Sequence, residues 1–423
     1  MIEKIKAYIK NISKKNNEPK TLLDERLRAL EEFLKRKNEI NFNFENFFES
    51  LFIPKKITWD EIPEEIKNTY KELGISNSEQ AYLSGISLEY NENIFNKVKE
   101  IFKKKGLIFT SYVEGYKKYE NIFNKYRNKL IKPNALSYLN NALFNVGNFI
   151  YVPKNKKINI PLQVFFLLTN PFSHFPRNLI ILDEGAELTY IEGCIAPTFM
   201  KENLHSAYTE IYVHKNAKFK WINVQNWHKN MYVLDNAALD VENGNVKIIT
   251  INVGSKIVKK IPNIYLNNSN LHINEIGLSD KNELRTGARI YVKNSSNIHI
   301  ESKSLIKHGK SVFELKLDVN KNSKGKAFIE CDSYMLSSDG YSLSDPQLKN
   351  NSNEFFISHE SLTGDFDTEK LEYLKSRGID ETHAKFLLTI GEFDDILKEL
   401  PLDYINETMK LIQLYLGDNG GTG

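Results

Sequence analysis

Between residues 184 and 325 a short polar turn returns every 24–31 residues, and nothing between the turns has the spacing of a helix. The turns are Glu184-Gly185-Ala186, Lys215-Asn216-Ala217, Asn243-Gly244-Asn245, Asn267-Asn268-Ser269-Asn270, Lys293-Asn294-Ser295-Ser296 and Asn322-Ser323-Lys324-Gly325. The segments beside them alternate apolar and polar residues with the period of a strand, as in Glu210-Ile211-Tyr212-Val213-His214 and Ala288-Arg289-Ile290-Tyr291-Val292. A strand face stays dry only if another layer covers it. In a series of strands with no helices between them, each coil can cover its neighbour, so the pattern predicts a stacked β-solenoid. A β-sandwich is the alternative, although it normally uses fewer strands than this stretch offers.

The flanks have a different texture. Residues 1–130 read as an N-terminal helical region. It includes an amphipathic helix from Thr21 to Leu34, a helix from Pro63 to Leu73 stopped by Gly74, another over Asn91–Lys105, and one from Val113 to Tyr126. The aromatics Phe44, Phe47, Phe48, Phe52, Tyr116, Tyr119 and Phe123 read as packing between these helices. Residues 131–364 form the β core. Residues 365–423 return to helix as four short segments, the second starting at Asp380 and ending near Gly391, and they suit either a docking module or a cap on the solenoid.

Composition narrows the function classes. The net charge of +3, with a pI near 8.4, comes from short, dispersed basic runs such as Lys103-Lys104-Lys105, which argues against a nucleic-acid partner. No apolar run approaches the roughly 18 residues needed to span a bilayer, and Met1–Lys20 lacks the apolar core of a secretory signal. The expected location is the cytoplasm, or the stroma of an organelle that encodes the chain. In such a reducing compartment the two cysteines, Cys194 and Cys331, are expected as free thiols.

Those cysteines carry the candidate chemistry. Cys194 ends a strand in Tyr190-Ile191-Glu192-Gly193-Cys194, and a reactive role would need a cation or donors close by, from Arg177 or His205. Cys331 lies upstream of His359-Glu360, across a turn at Asp339-Gly340 and a loop at Ser344-Asp345-Pro346. A thiol, an imidazole and a carboxylate suit a Cys-His nucleophile or a metal. In an extended strand Glu360 points away from the face of His359, so it would orient that imidazole poorly. Paired zinc-type thiols are absent, and an iron–sulfur cluster generally takes four thiolates, which exceeds the two here. One chain thus offers an under-ligated site of the kind a transient carrier or a shared interface would use.

A series of segments in one order then resembles a known family. They are Asn148-Phe149-Ile150-Tyr151-Val152-Pro153-Lys154, Ile160-Pro161-Leu162-Gln163, Tyr190 through Pro197, Leu204-His205-Ser206-Ala207, Val224-Gln225-Asn226-Trp227, Thr286-Gly287-Ala288-Arg289, Cys331-Asp332-Ser333, His359-Glu360 and Glu399-Leu400-Pro401-Leu402. Together they resemble the SufB/SufD family of iron–sulfur cluster assembly scaffolds, on its SufB side. The resemblance implies a mainly β chain: a right-handed parallel β-helix flanked by N- and C-terminal α-helical regions. It implies a scaffold rather than an enzyme, handling iron and a transient iron–sulfur cluster. The implied partners are a SufC-type ATPase docked on the C-terminal helices, a SufD-type paralogue or a second copy of the chain, and a cysteine desulfurase or sulfur-transfer protein that supplies persulfide sulfur.

Residue by residue, the resemblance makes Cys194 the sulfur acceptor and Cys331 the cysteine of cluster assembly. It makes Glu360, with His359 beside it, a cluster ligand, and it puts Gln225 and Trp227 on the sulfur route, to which Arg177 is added as a nearby cation. The chain departs from the family where a basic residue often follows the Gln-Asn-Trp strand, since it reads Leu234-Asp235-Asn236-Ala237. It departs again at Ser344-Asp345-Pro346-Gln347-Leu348 and at Ser361. A β-helix enzyme with a Cys-His nucleophile and a purely structural solenoid are the competing expectations.

Overall fold

The computed structural model describes residues 1–40, 42–48, 51, 85–89, 93–98, 104, 106–167, 173–195 and 202–417. Its centre is a parallel β-solenoid of about seven turns. One wall is a sheet running, in spatial order, from the hairpin Asn93–Val98/Gly85–Glu89 through Lys157–Leu167, Glu187–Ile195, Lys218–Trp227, Asn245–Gly254, Ser269–Ser279, Ser296–Ile306 and Gly325–Met335 to Phe355–Gly364. The facing wall runs from Ile108–Ser111 through Asn148–Val152, Arg177–Leu182, Tyr208–Val213, Met231–Glu242, Ile257–Lys260, Glu283–Val292 and Lys310–Val319 to Tyr341–Asn350. The pairings within the coils are parallel; the hairpin, and the contact of Ile108–Ser111 with Asn148–Val152, are antiparallel.

The recurring turns work because they are rich in residues that tolerate a left-handed backbone. Gly185, Asn216, Asn243, Asn268 and Asn322 have φ of 68°, 59°, 51°, 51° and 64°. Successive turns also bond to one another, Gly185 N–H to the Lys215 carbonyl, Asn216 N–H to Asn243 and Asn243 N–H to Asn267. Stacking then repeats one side-chain position from coil to coil. Leu188, Phe219, Val246, Leu271, Ile298 and Ala327 form one inward row, faced by Ile180, Ile211, Leu239, Ile264, Ile290 and Leu317. Each such buried aliphatic or aromatic side chain contributes about 1.5–3 kcal/mol, and the coils share them in continuous columns.

Two helical layers close the outside. Helices Ile2–Lys15, Lys20–Arg36, Tyr112–Lys118, Glu120–Tyr126 and Ala135–Leu143 pack on the early coils of the second wall, burying Phe149, Leu179, Ile181 and Tyr212 with Phe33, Phe123 and Leu139. Helices Thr368–Ser376, Glu381–Leu397 and Leu402–Gly417 belong to the C-terminal part, and Phe393, Ile396, Leu397, Tyr404 and Ile412 cover Ile191, Ile222, Ile249, Ile276 and Leu305 on the outer face of the first wall. Glu399 fastens this layer by ion pairs of 3.0 and 2.8 Å to Lys220 and Lys247. No helix among the described residues is long and apolar enough to cross a membrane.

Four local expectations change. The helix expected over Asn91–Lys105 is a strand at Asn93–Val98, because pairing with Gly85–Glu89 outweighs the local helical spacing. The helix expected over Val113–Tyr126 is two, meeting at Tyr119. Ser344-Asp345-Pro346 is not a loop but part of the strand Tyr341–Asn350, whose place at the sheet edge tolerates a proline. Glu381–Leu397 runs unbroken past Gly391, so among the described residues three C-terminal helices stand where four were expected. The helix read at Pro63–Leu73, and Phe52, lie outside the described residues.

Candidate functional site

The interior is not apolar throughout. Towards the end of each strand in the first wall, the two inward rows turn polar. One reads Glu192, Asn223, Thr250, Glu275, Ser302 and Cys331 on successive coils, and the other Cys194, Gln225, Asn252, Gly277, Ser304 and Ser333. The inward direction follows from alternation, since Tyr190 and Cys194 belong to the core between the walls whereas Ile191 faces the C-terminal helices. Across the interior the second wall presents Asp235, Lys260, Thr286, Ser311, Ser342 and Ser344 beside inward neighbours such as Val233, Val258, Leu284 and Phe313.

These groups are linked into a buried file. Nδ2 of Asn223 donates to Glu192 Oε2 at 2.7 Å, and Trp221 Nε1 donates to the same oxygen at 3.3 Å. Lys260 Nζ donates to Asn223 Oδ1 at 2.7 Å. Gln225 lies against Asp235, which also accepts the Ala207 N–H at 3.0 Å. Further along, Glu275 sits beside Thr286 and Asn252, the hydroxyls of Ser304 and Ser311 meet at 2.9 Å, and Ser342 donates to Ser333 at 2.7 Å. The file ends at Cys331, whose sulfur lies beside Ser344. Polar groups inside a core cost several kcal/mol each when unpaired, so their alignment between the two cysteines is the feature of the interior most in need of a function.

Burial governs the charges. It pushes the carboxyls of Glu192 and Asp235 up, and that of Glu275 to about 7, while the Lys260 ammonium pulls all three back down. It depresses His174 and takes His205 to about 3. These two rings share a 3.1 Å Nδ1–Nδ1 contact; His205 Nε2 is 3.6 Å from Asp235 Oδ1 and the ring is centred 5.0 Å from Trp227. The Cys331 thiol is pushed up to about 12, first by burial and then by the Glu275, Asp332 and Glu330 carboxyls, with Ser344 opposing. A thiol held in this state is a poor nucleophile at neutral pH. It becomes a ligand when a metal displaces its proton.

The structure brings some sequence-derived candidates together and separates others. Cys194 and Gln225 are register partners on adjacent coils, and Trp227 closes the same strand inside the core. Both cysteines are buried and neither is in a disulfide. Arg177 is elsewhere. Its guanidinium bonds Tyr112 Oη at 3.0 Å, Asn140 Oδ1 at 2.8 Å and Asn128 Oδ1 at 2.5 Å, and it stacks 3.9 Å from Tyr208. It fastens the N-terminal helices to the solenoid rather than facing Cys194. At the far end, His359 is paired with Ile329 and so faces inward diagonally from Cys331, with Nε2 buried and unpartnered among the described residues. Glu360, paired with Glu330, is exposed on the opposite face. Among the described residues no three His, Cys, Asp or Glu side chains converge to hold a metal, so Cys331, His359 and Glu360 do not form a complete site within one chain.

The last coil is also bare. Tyr341–Asn350 and Phe355–Gly364 are the terminal strands of their sheets, and they expose Tyr341, Leu343, Leu348, Phe356 and Leu362. Cys331 lies one strand in from this edge.

Comparison with known proteins fits this geometry. The family description "SufBD protein N-terminal region" matches residues 85–164, and "SUF system FeS cluster assembly, SufBD core domain" matches residues 166–392. The chain belongs to the SufBD family. Iron–sulfur cluster assembly SufBD family proteins of Staphylococcus aureus (strains MRSA252 and USA300) and Staphylococcus haemolyticus are each 35% identical to it over 427 residues, covering 96% of this chain and 91% of theirs. Membership makes iron–sulfur cluster assembly in the SUF system the setting in which the interior has to be understood.

In that setting the departure at 234–237 gains a structural meaning. Asp235 faces inward and is paired in register with Lys260 on the next coil, so the interior of this SufBD chain does hold a cation, supplied from a different strand. Sequence reading missed Lys260, Glu192, Asn223, Glu275 and Thr286 as site residues. Their signal was present: a charged or amide side chain in phase with inward apolar ones, as in Tyr190-x-Glu192-x-Cys194 and Val258-x-Lys260.

Proposed function

We propose that this SufBD protein performs the SufB role, taking persulfide sulfur at Cys194 and supporting construction of an iron–sulfur cluster at Cys331 where a second chain completes the ligand set. The observation that carries the reading is the polar file inside an otherwise apolar solenoid, with one cysteine at each end and the second beside a bare edge. Gln225 and Trp227 line the entrance beside Cys194. Cys331, with His359 inward and Glu360 outward, offers fewer thiolates than a cluster takes. A SufD-type paralogue or a second copy, laid on strands Tyr341–Asn350 and Phe355–Gly364, would add the missing ligands by extending both sheets. Iron and sulfide are cargo in this scheme.

The chain itself acts as a scaffold and not as an enzyme. ATP hydrolysis belongs to a SufC-type partner, docked on the C-terminal helices, which leave Tyr373, Leu387, Leu402 and Leu414 exposed. A cysteine desulfurase or sulfur-transfer protein delivers the sulfur, in the cytoplasm or an organelle stroma. The test is anaerobic reconstitution with iron and sulfide, for which a labile visible chromophore is expected. Cys331→Ala should abolish it while leaving the solenoid's circular dichroism intact. An unchanged chromophore in that variant would remove Cys331 from assembly.

A further inference from the structure

We propose that the outer face of the first wall is a docking groove for an extended acidic segment of a partner protein, held by Lys218 and Lys326 and anchored on Phe356. This surface lies outside the interior file and does not depend on the proposed function. The C-terminal helices cover the outward residues Ile191, Ile222 and Ile249 but leave open the outward positions nearer the start of each strand. There a groove of about 980 Å³ runs from Ile158 to Phe356, crossing eight strands of the sheet. At about 4.8 Å per strand it is about 34 Å long, the span of about ten residues of extended chain. A compact ligand would fill only part of such a length.

Charge decides what the groove takes. Its lining holds the lysines Lys218, Lys220, Lys247 and Lys326 against a single acid, Glu187. Lys220 and Lys247 already grip the Glu399 carboxylate at 3.0 and 2.8 Å, so this floor binds carboxylates within the chain itself. Glu187 is divided between Lys157 at 2.8 Å and Lys218 at 3.5 Å, and the exposed Lys326 has no acidic partner among the described residues. The surplus positive charge therefore sits at Lys218 and Lys326. Register places these two in one outward column, four strands and about 19 Å apart. Between them the amides of Asn270 and Asn297 donate back along the column at 2.7 and 3.0 Å, so the intervening floor is polar and uncharged. Beyond Lys326 the column ends on Phe356, which is 72% exposed, and the neighbouring column brings up the stacked rings of Phe328 and His299, centred 5.2 Å apart. An extended chain rises about 3.3 Å per residue, so carboxylates six positions apart meet the two lysines from one side, and an apolar side chain two positions further on covers Phe356. The ion pairs set the register of the segment, and the apolar contact removes an exposed ring from water.

The test uses the full chain and a fluorescein-labelled decapeptide with glutamate at its second and eighth positions, phenylalanine at its tenth, and leucine and serine elsewhere. Fluorescence anisotropy at an ionic strength of about 0.15 M should show saturable binding. Moving the second glutamate three positions closer to the first should weaken it about fivefold, and replacing both glutamates with lysine should weaken it further. The doubly reversed chain, Lys218→Glu with Lys326→Glu, should lose the glutamate peptide and gain the lysine one. Phe356→Ser should weaken binding several-fold, whereas Lys293→Glu with Lys316→Glu, exposed positions on the other wall, should leave it unchanged. All the substituted side chains are exposed, so each variant should keep the circular dichroism of the unaltered chain. Equal binding of the closer-spaced peptide, no gain of the lysine peptide by the reversed chain, an equal loss in the second-wall variant, or no saturable signal would each overturn the assignment. Displacement by citrate as effective as by unlabelled peptide would make this a small-anion site. Self-association lost in the reversed chain, with no peptide bound by either form, would give the groove to a second copy. Either result would also overturn the proposal. No iron enters these measurements, so they are independent of the Cys331 reconstitution.

Discussion

Replacing Glu275 with glutamine should make the protein more stable at and above neutral pH, and leave it unchanged in acid. The carboxyl lies inside the solenoid beside Thr286 and Asn252, and burial raises it from 4.5 to about 7. In the unfolded chain the same group ionises near its ordinary value. Below about pH 4.5 both states hold the proton and folding carries no penalty from this group. As the pH rises through the folded value, the unfolded state has already gained its charge while the folded state must either stay protonated or bury an anion. Stability is therefore lost across the interval from about 4.5 to about 7, and at about 1.4 kcal/mol for each pH unit the loss reaches about 3.5 kcal/mol. Glutamine keeps the shape and the hydrogen-bonding capacity but cannot ionise. Urea unfolding of the two proteins should give similar midpoints at about pH 4 and a Glu275→Gln advantage of up to about 3.5 kcal/mol at about pH 8.5. An advantage of the same size at both pH values, or a variant less stable at the higher one, would show that Glu275 is not a carboxyl held neutral by burial.

Two further outcomes follow from the fold. Gly254 has φ of +76°, and a Cβ there would lie 1.7 Å from the Trp227 carbonyl oxygen, so Gly254→Ala should cost about 3 kcal/mol or more and lower the melting temperature by several degrees. Arg177→Met should cost about 3 kcal/mol by stripping the buried bonds to Tyr112, Asn140 and Asn128. Limited proteolysis should then release the N-terminal helices before the solenoid, with persulfide loading at Cys194 unchanged; a selective loss of loading with the helices still protected would return Arg177 to the sulfur route.

The solenoid was legible because its determinants are local. An asparagine or glycine able to adopt a left-handed backbone at each turn, and alternation between turns, are properties of short windows, so Asn216, Asn243 and Asn268 announce coils without any tertiary information. The strand at Asn93–Val98 was hidden for the converse reason, because its partner Gly85–Glu89 supplies the stabilisation and the segment's own apolar spacing suits a helix. At the site, the opposed faces of His359 and Glu360 could be read from alternation, whereas the pairing of Cys194 with Gln225 depends on the register between coils. Arg177 could not, since its strand looked near to Cys194 in sequence while its side chain turns out towards Tyr112 and Asn140. Lys260 escaped notice because what sets it apart is enclosure: its phase with Val258 stands in the sequence, but it is the stacking of the coils that closes an interior around it.

The two ends of the solenoid are unlike, and that difference limits how many chains can join. At the N-terminal end each sheet finishes, among the described residues, with an antiparallel partner, Asn93–Val98 on one wall and Ile108–Ser111 on the other. At the C-terminal end both sheets stop on parallel strands with open edges. A chain whose two ends could both accept another coil would grow head to tail without limit, the geometry of a fibre. Among the described residues the head is turned against parallel continuation, so the proposed edge pairing would join tail to tail. Growth by that route would end at two, with a single seam one strand from each Cys331.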